Sequence, residues 1–148
     1  MDPRPSDLDH LKWIRKAGIG SFKDQKVLDL GCGSGFLCDY AMKQGAERAV
    51  GVDIITPYMP GHDQNWSFLQ ADLDNEFWAK GLGEGYSLIL AFDIIEHLKA
   101  PFLFLTYCHQ LLNKKGTMIL TSPNTMSWER FLKPRSWSGV SDPQHKIL

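Results

Sequence analysis

Residues 27–36 read Val-Leu-Asp-Leu-Gly-Cys-Gly-Ser-Gly-Phe, and this stretch decides the fold. Its first half is a short apolar run of the kind that forms a buried strand, and residues 36–44 are good helix formers. Glycine adopts the positive φ angles of a tight turn and lets a ligand approach the backbone closely. The stretch therefore predicts a strand, a glycine-rich turn and a helix, with a ligand-binding role for the turn.

Outside this stretch, apolar runs that predict strands alternate with segments that predict helices. Strands are expected at residues 26–30, 49–54, 66–72, 86–93 and 117–121, and helices at residues 8–17, 36–44, 75–80 and 101–113. Ser6 is expected to cap the first helix, because Asp9 follows three residues later. The alternation indicates βαβ units. The predicted fold class is therefore α/β, a mainly parallel sheet of five strands with helices on both faces.

The composition is that of a globular domain of ordinary size. The chain has 148 residues, of which 43% are hydrophobic and 22% are charged, and its formal net charge is −1. This length suits a single domain with its own core. Because a near-neutral chain lacks the basic excess of a dedicated nucleic-acid binder, a nucleic-acid partner is not expected.

Membrane insertion and secretion are not expected either. The longest unbroken apolar run covers residues 88–92, far short of the ~20 residues that a membrane-spanning helix needs. Residues 1–5, Met-Asp-Pro-Arg-Pro, contain no apolar signal segment. The three cysteines, Cys32, Cys38 and Cys108, include no close pair, which is typical of free thiols in a reducing compartment. A cytoplasmic location is therefore expected.

The spacing of the glycines distinguishes three kinds of nucleotide-binding turn. Dinucleotide-binding turns have the pattern G-x-G-x-x-G/A, whereas this turn has G-x-G-x-G and Phe36 occupies the position that needs a small residue. No Lys-Ser/Thr pair follows, so the turn is not a P-loop. With Asp29 two residues before Gly31, the stretch resembles motif I of class I S-adenosylmethionine (SAM)-dependent methyltransferases.

That resemblance covers nearly the whole chain and implies a Rossmann-like doubly wound sheet with the strand order 3-2-1-4-5. It also implies SAM as the cofactor, with its methionine part wrapped by the turn. The residues that it assigns to this part of the site are Asp29, Gly31, Cys32, Gly33 and Gly35. The full family fold has two more strands, which this chain is expected to lack because few residues follow the fifth strand.

Acidic residues at the ends of the second and third predicted strands extend the resemblance. Asp53 lies 22 positions after the first glycine of the turn, and its carboxylate suits the two hydroxyls of a ribose. The resemblance places Asp72 opposite the adenine amino group, with Leu73 beside it. The apolar side chains that it expects to pack on the adenosine part are Ile54 and Phe92.

Residues 92–98, after the fourth strand, resemble a segment of small-molecule methyltransferases similar to the ubiquinone-biosynthesis O-methyltransferases. Three interpretations of its polar side chains, Asp93, Glu96 and His97, stay open. His97 is the candidate catalytic residue, as a general base for an acceptor hydroxyl. The group could instead bind a divalent cation with His145 as a fourth ligand, or cap a helix and shape the pocket. No metal is assigned to the site.

Residues 1–148 are expected to form a single SAM-binding domain. Residues 1–22 would hold its N-terminal helix and residues 23–122 its core, while residues 123–148 would form a lid over the acceptor pocket or a cover for the sheet edge. The fifth strand is expected at an exposed edge of the sheet. Such an edge invites pairing with a second copy of the chain or with a partner chain.

The function predicted from these residues is methyl transfer from SAM to a small-molecule or glycan acceptor. The protein would contribute by aligning the reactants and excluding water, because the sulfonium already carries a good leaving group. The alternative is a SAM-binding partner subunit or regulatory module with little activity alone. The short predicted C-terminal part favours that alternative.

Overall fold

The computed structural model describes residues 3–55 and 65–123 of the chain. Its helices are α1 (Pro5–Lys16), α2 (Phe36–Lys43) and α3 (Pro101–Leu111), and its strands are β1 (Lys26–Leu30), β2 (Arg48–Asp53), β3 (Ser67–Gln70), β4 (Tyr86–Phe92) and β5 (Leu112–Thr121). The strands form one parallel sheet in the order β3-β2-β1-β4-β5. This confirms the predicted α/β class and strand order. Within the described ranges, no helix has the length and apolar character needed to span a bilayer.

The central strands β1 and β4 are buried on both faces, as their nearly continuous apolar sequences predict. Alternate residues point to opposite sides. Val27 and Leu88 pack with side chains of α1 and α2, whereas Leu28 and Ile89 pack with those of α3. The α3 side also includes Trp78, from the segment between β3 and β4. The core therefore consists of two apolar layers, one on each side of β1 and β4.

The order of the strands places a ligand crevice beside β1. This strand pairs with β2 on one side, from Lys26 opposite Arg48 to Leu30 opposite Val52, and with β4 on the other side. β2 and β3 are therefore added on one side of β1, and β4 and β5 on its other side. The order in which strands are added to the sheet reverses between β1 and β4. Sheets of this kind bind ligands outside the carboxyl ends of the strands at such a reversal. The glycine-rich turn follows β1 and lies at that point.

The N-terminal helix begins earlier than the sequence indicated. α1 starts at Pro5 with Arg4 as its N-cap, so the prediction of Ser6 as the cap is wrong. The backbone N–H of Arg4 donates to the Asp7 carboxylate at 2.8 Å and closes the first turn. Proline suits the first position of a helix, because a hydrogen bond from its nitrogen is not needed there.

The segment after β3 differs from its prediction in two ways. Residues 75–80 form successive turns, so the predicted helix is wrong. The side chain of Asn75 accepts the N–H of Phe77 at 2.9 Å, and local bonds of this kind compete with the helical ladder. β3 ends at Gln70, so Asp72 lies two residues beyond the strand and not at its end.

β5 is longer than predicted, since it begins at Leu112 directly after α3. Leu112 pairs with Tyr86 and Thr117 pairs with Leu88, so the pairing advances five residues along β5 but only two along β4. Residues 114–116, which indicated a turn between helix and strand, therefore belong to the strand and form an irregularity in its pairing.

Candidate functional site

The glycine-rich turn between β1 and α2 is held to the end of β2 by backbone hydrogen bonds. The N–H groups of Gly31 and Cys32 both donate to the carbonyl oxygen of Val52, at 2.8 and 3.1 Å. The three glycines of the turn have positive φ angles, 76° at Gly31, 52° at Gly33 and 77° at Gly35. Other residues adopt such angles only at a cost. The glycines and the neighbouring strand therefore fix the backbone of the turn.

The glycines of the turn differ in what covers them. A Cβ at Gly35 would overlap the ring of Trp66, and one at Gly31 would overlap an isoleucine side chain that follows β4. A Cβ at Gly33 would instead meet the guanidinium nitrogens of Arg4 at 3.7 Å. The sequence predicted a ligand-binding role for this turn. In the structure, apolar side chains fill the space at its two ends, and the middle glycine faces a cation.

Asp53 is the last residue of β2, and its carboxylate bonds to the turn. One carboxylate oxygen accepts the N–H of Gly33 at 2.8 Å, and the other accepts the N–H of Ile55 at 3.0 Å. Each carboxylate oxygen has two lone pairs, so both oxygens can accept further hydrogen bonds from a ligand. The structure thus brings two of the predicted cofactor-binding residues into direct contact.

Asp29 and Cys32, two other predicted cofactor residues, have buried side chains. Only 3% of Asp29 and 5% of Cys32 is exposed. The thiol of Cys38 lies 3.9 Å from an oxygen of the Asp29 carboxyl group. Burial raises the pKa of Asp29 to about 7, an effect that the nearby His10 partly opposes. The Asp29 carboxyl group is therefore shielded from solvent near the end of β1, and the Cys32 side chain is buried in the core.

The residues predicted to surround adenine are less closely grouped. Asp72 and Leu73 lie in the turn after β3, where the Asp72 carboxylate accepts the N–H of Asp74 at 2.9 Å and Leu73 packs against the α3 side of the core. Ile54 is 59% exposed just after β2, and Phe92 is buried at the end of β4. Among the described residues, no hydrogen bond links Asp72 to the glycine-rich turn. The adenine role of these four residues stays a prediction.

The polar residues after β4 lie in one short helical turn or directly before it. Ile95–His97 form a single 3₁₀ turn, and Asp93 precedes it with a φ of 53°. Glu96 and His97 are half-buried in this turn. In the described part of the chain, no group of three His, Cys, Asp or Glu side chains could hold a metal ion. His145 lies outside the described residues, and the role of His97 as a base stays a prediction.

Helix α1 brings three polar residues to the site that sequence patterns did not identify. Arg4, Asp7 and His10 follow at a spacing of three, on the same side of the helix as the buried Ile14. Two guanidinium nitrogens of Arg4 donate to the Asp7 carboxylate, at 2.8 and 3.1 Å, and Asp7 is only 2% exposed. Burial opposes ionisation of Asp7, but the bonds from Arg4 hold its pKa below the usual value. This ion pair holds the Arg4 guanidinium near Gly33.

His10 lies against the end of β4. Its ring stacks on Phe92, with the ring centroids 4.3 Å apart and an angle of 7° between the planes. Its Nε2 atom is 3.6 Å from a carboxylate oxygen of Asp93. The sequence did contain a signal for Asp7 and His10, since both are polar residues on the inward face of an amphipathic helix. Burying a polar side chain is costly, so such a residue indicates a partner that offsets the cost.

A cavity of about 700 Å³ lies between α1 and the carboxyl ends of β4 and β5. Its walls include the rings of His10 and Trp13 and the polar side chains of Asp9, Asp93 and Thr121. Its volume is within the range of pockets that take small molecules. The candidate site therefore has two parts, the glycine-rich turn with its flanking charges and this cavity.

The fold and these contacts define an α/β domain with a ligand crevice at the carboxyl ends of its central strands. Residues 8–146 match the model of a protein family described as a methyltransferase domain. Because this match spans most of the chain, the protein belongs to the methyltransferase domain family.

Individual relatives agree with that family. A ubiquinone biosynthesis O-methyltransferase from Cereibacter sphaeroides is 33% identical over 109 residues, which cover 70% of this chain and 43% of the relative. The chain thus spans less than half the length of that relative. A SAM-dependent methyltransferase from Archaeoglobus fulgidus has a similar structure, with a TM-score of 0.72 and 21% identity over 96% of this chain and 62% of that one. Coclaurine N-methyltransferase bound to N-methylheliamine and S-adenosylhomocysteine (SAH) gives a TM-score of 0.61 at 25% identity, covering 81% of this chain and 38% of that one.

The buried carboxyl group of Asp29 should make the stability of the fold depend on pH. Its pKa rises from 3.8 to about 7 on folding, so between these values the folded state binds more protons than the unfolded chain. The free energy of unfolding should therefore fall as pH rises through this window, by about 1.4 kcal/mol per unit from this group. Asp29→Asn, which stays neutral, should lose that slope in urea unfolding at pH 5, 6 and 7.

The matched control for this measurement is Asp72→Asn. This carboxyl group is exposed in the turn after β3, so its replacement should leave the slope of the native chain unchanged. Equal slopes in the native chain and in Asp29→Asn would contradict the prediction.

Proposed function

We propose that this chain binds SAM in the crevice beside β1 and transfers its methyl group to an oxygen atom of a small-molecule acceptor. The observation that carries the proposal is the hydrogen bond from the N–H of Gly33 to the Asp53 carboxylate, together with the Arg4 guanidinium near the same glycine. Gly33 thus lies between the Asp53 carboxylate, which can bind a diol, and the Arg4 guanidinium, which can bind a carboxylate. SAM carries both groups, in its ribose and in its methionine part.

The other site residues extend this fit. Arg4 would pair with the methionine carboxylate, and Asp53 would accept hydrogen bonds from the ribose hydroxyls. The exposed side chain of Ile54 offers an apolar surface next to Asp53, where the adenine ring would follow the ribose. Asp72 and Leu73, in the turn after the neighbouring strand, would complete the adenine part of the site.

SAM supplies a methyl group on a sulfonium, which is a good leaving group. The work left to the chain is to align the acceptor with the methyl group and to exclude water. Helix α1 serves both purposes in this proposal, since Arg4 and His10 place it over the turn and over the end of β4. An oxygen acceptor is supported by the relatives at 33% identity, which are named O-methyltransferases.

Calorimetric titration with SAH tests the cofactor half of this proposal. The native chain should bind SAH, and Asp53→Ala should weaken binding about ten- to hundredfold. The expected loss corresponds to ~1.5–3 kcal/mol for hydrogen bonds between a charged group and the ribose hydroxyls. Because Asp53 also bonds to the turn, circular dichroism of the variant must first show a native fold.

A suitable control for the titration is Glu47→Ala. Glu47 lies before β2, at the opposite end of the sheet, and pairs only with Lys26 at 3.4 Å among the described residues. Its replacement should leave SAH affinity unchanged. An equal loss of SAH affinity in both variants would contradict the proposal that Asp53 binds the ribose. The same SAH affinity in Asp53→Ala as in the native chain would also contradict it. Failure of the native chain to bind SAH would remove the proposed function.

We also propose that the free edge of β5 is covered, either by a second copy or partner chain or by residues 123–148. β5 pairs with β4 on one side only among the described residues, and Leu120 on this strand is 37% exposed. An uncovered parallel edge would offer unpaired backbone groups to other chains. Hydrogen exchange should therefore show slow amides along residues 117–121. Rapid exchange there, in a chain that sediments as a monomer, would overturn the proposal.

A reducing, cytoplasmic setting is the last part of the proposal. Its support is that Cys32, Cys38 and Cys108 are free and buried. Recovery of the native protein from extracellular medium with these thiols oxidised would argue against this setting.

A further inference from the structure

A second cavity lies at the opposite end of the sheet from the glycine-rich turn. It has a volume of about 420 Å³ and is bounded by the C-terminal half of α3 and by residues 76–84, which precede β4. The N–H of Gly85 donates to the carbonyl oxygen of Leu111 at 2.9 Å and joins these two walls where β4 and β5 begin. Because β4 is seven residues long, this α3 cavity lies ~20 Å from the crevice at the carboxyl ends of the strands. It shares no lining residue with the proposed SAM site.

Two aromatic side chains form apolar walls of the α3 cavity. Phe77 is 65% exposed, so its ring is accessible to a ligand. Tyr107 is half-buried, and its ring meets that of Trp78 edge to face with the centroids 5.9 Å apart. Trp78 is itself only 3% exposed, so the core holds the Tyr107 ring in place. The faces of aromatic rings attract cations, and they also pack against apolar groups.

Negative charge predominates among the side chains that line the α3 cavity. Glu76 and Glu84 contribute two carboxylates, whereas Lys80 contributes one ammonium group. Within residues 3–55 and 65–123, none of these three side chains takes part in a hydrogen bond or an ion pair. A concave surface on which carboxylates predominate concentrates cations from solution. The charges and the aromatic walls therefore favour the same kind of ligand.

Local hydrogen bonds shape the segment that forms one wall of the α3 cavity. The N–H of Phe77 donates to the Asn75 side chain, and the N–H of Lys80 donates to the Phe77 carbonyl oxygen, both at 2.9 Å. A Cβ at Gly81 or Gly83 would meet no atom within 4 Å, so open space lies beside both glycines. A site that is formed in advance costs little ordering when a ligand binds.

We infer that the α3 cavity binds an organic cation, namely a substituted ammonium compound with an apolar body. Its apolar groups would contact the rings of Phe77 and Tyr107, and its positive charge would lie near the carboxylates of Glu76 and Glu84. An anionic ligand would be repelled by these two carboxylates, and a neutral apolar ligand would leave them unused. The inference goes beyond the proposed function and does not depend on it, because the α3 cavity is separate from the crevice.

Choline and its neutral carbon isostere provide the test. A tert-butyl group replaces the trimethylammonium group in the isostere, so the two probes share a shape and differ in charge. In an amide NMR titration of the ¹⁵N-labelled chain, choline should shift the resonances of Gly81 and Gly83 saturably, with a Kd in the millimolar range. The isostere should bind at least about fivefold more weakly, because it lacks the attraction of a cation to the rings and carboxylates. The resonances of Gly31 and Gly33 should stay in place with both probes.

Charge variants show whether the lining carboxylates attract the ligand. Glu76→Gln and Glu84→Gln should each weaken choline binding about two- to fivefold, and Lys80→Gln should strengthen it by a similar factor. All three side chains are exposed, so the variants should keep the native fold and the native affinity for the neutral isostere. Asp39→Asn is the matched control. It lies on α2, which packs on the opposite face of the sheet, and should leave choline binding unchanged.

Three results would overturn the inference. The first is equal affinity for choline and its isostere, which would show an apolar pocket with no preference for a cation. The second is the absence of saturable shifts at Gly81 and Gly83 in the presence of choline. The third is weaker choline binding in Lys80→Gln, since removal of a positive charge should favour a cation. The titration with SAH is a separate measurement, so the failure of either site leaves the other untouched.

Discussion

The hydrogen bonds between the glycine-rich turn and the end of β2 are the contacts on which the rest of the site depends. The parallel register places Leu30 opposite Val52, so the turn begins where the Val52 carbonyl and the Asp53 carboxylate can accept its N–H groups. A shift of one residue in this pairing would point every side chain of the strand to the other face. The apolar layers on both sides of β1 therefore fix the backbone of the turn as well as the core.

The second constraint is electrostatic and comes from helix α1. Buried ionised groups are costly unless they are paired, and Asp7 is paired with Arg4 at hydrogen-bonding distance. Asp29, which has no such cation, instead has a pKa raised to about 7 by burial. α1 therefore does more than cover apolar surface. It brings a cation to the turn and an imidazole to the end of β4, and the proposed function uses the cation to bind a carboxylate.

The sequence predicted most of the sheet because its strongest signals are local. The apolar runs of β1 and β4 and the glycine pattern between β1 and α2 are readable without knowledge of packing. The start of β5 at Leu112 could not be predicted, because residues 114–116 indicate a turn. Only their position beside β4 makes them part of a strand. The helix expected at residues 75–80 failed because side-chain bonds within that segment stabilise turns.

In the candidate site too, local sequence signals could be predicted and contacts that depend on packing could not. Asp53 could be located from its spacing to the turn, since strand and helix lengths in a βαβ unit vary little. The stacking of His10 on Phe92 could not be predicted, because the two residues are 82 positions apart in the sequence. Their contact depends on how α1 crosses the ends of the strands. Arg4 was missed for a related reason, since its role depends on where α1 begins and on the turn that it faces.

The most direct measurement is an amide NMR titration of the ¹⁵N-labelled chain with SAH. If the cofactor binds at the turn, the resonances of Gly31, Gly33 and Gly35 should shift together and saturate at one equivalent. Those of Gly81 and Gly83, in the turns before β4 with open space around them, should stay in place. Shifts that leave the three glycines of the turn unaffected would contradict the assignment of this turn as the cofactor site.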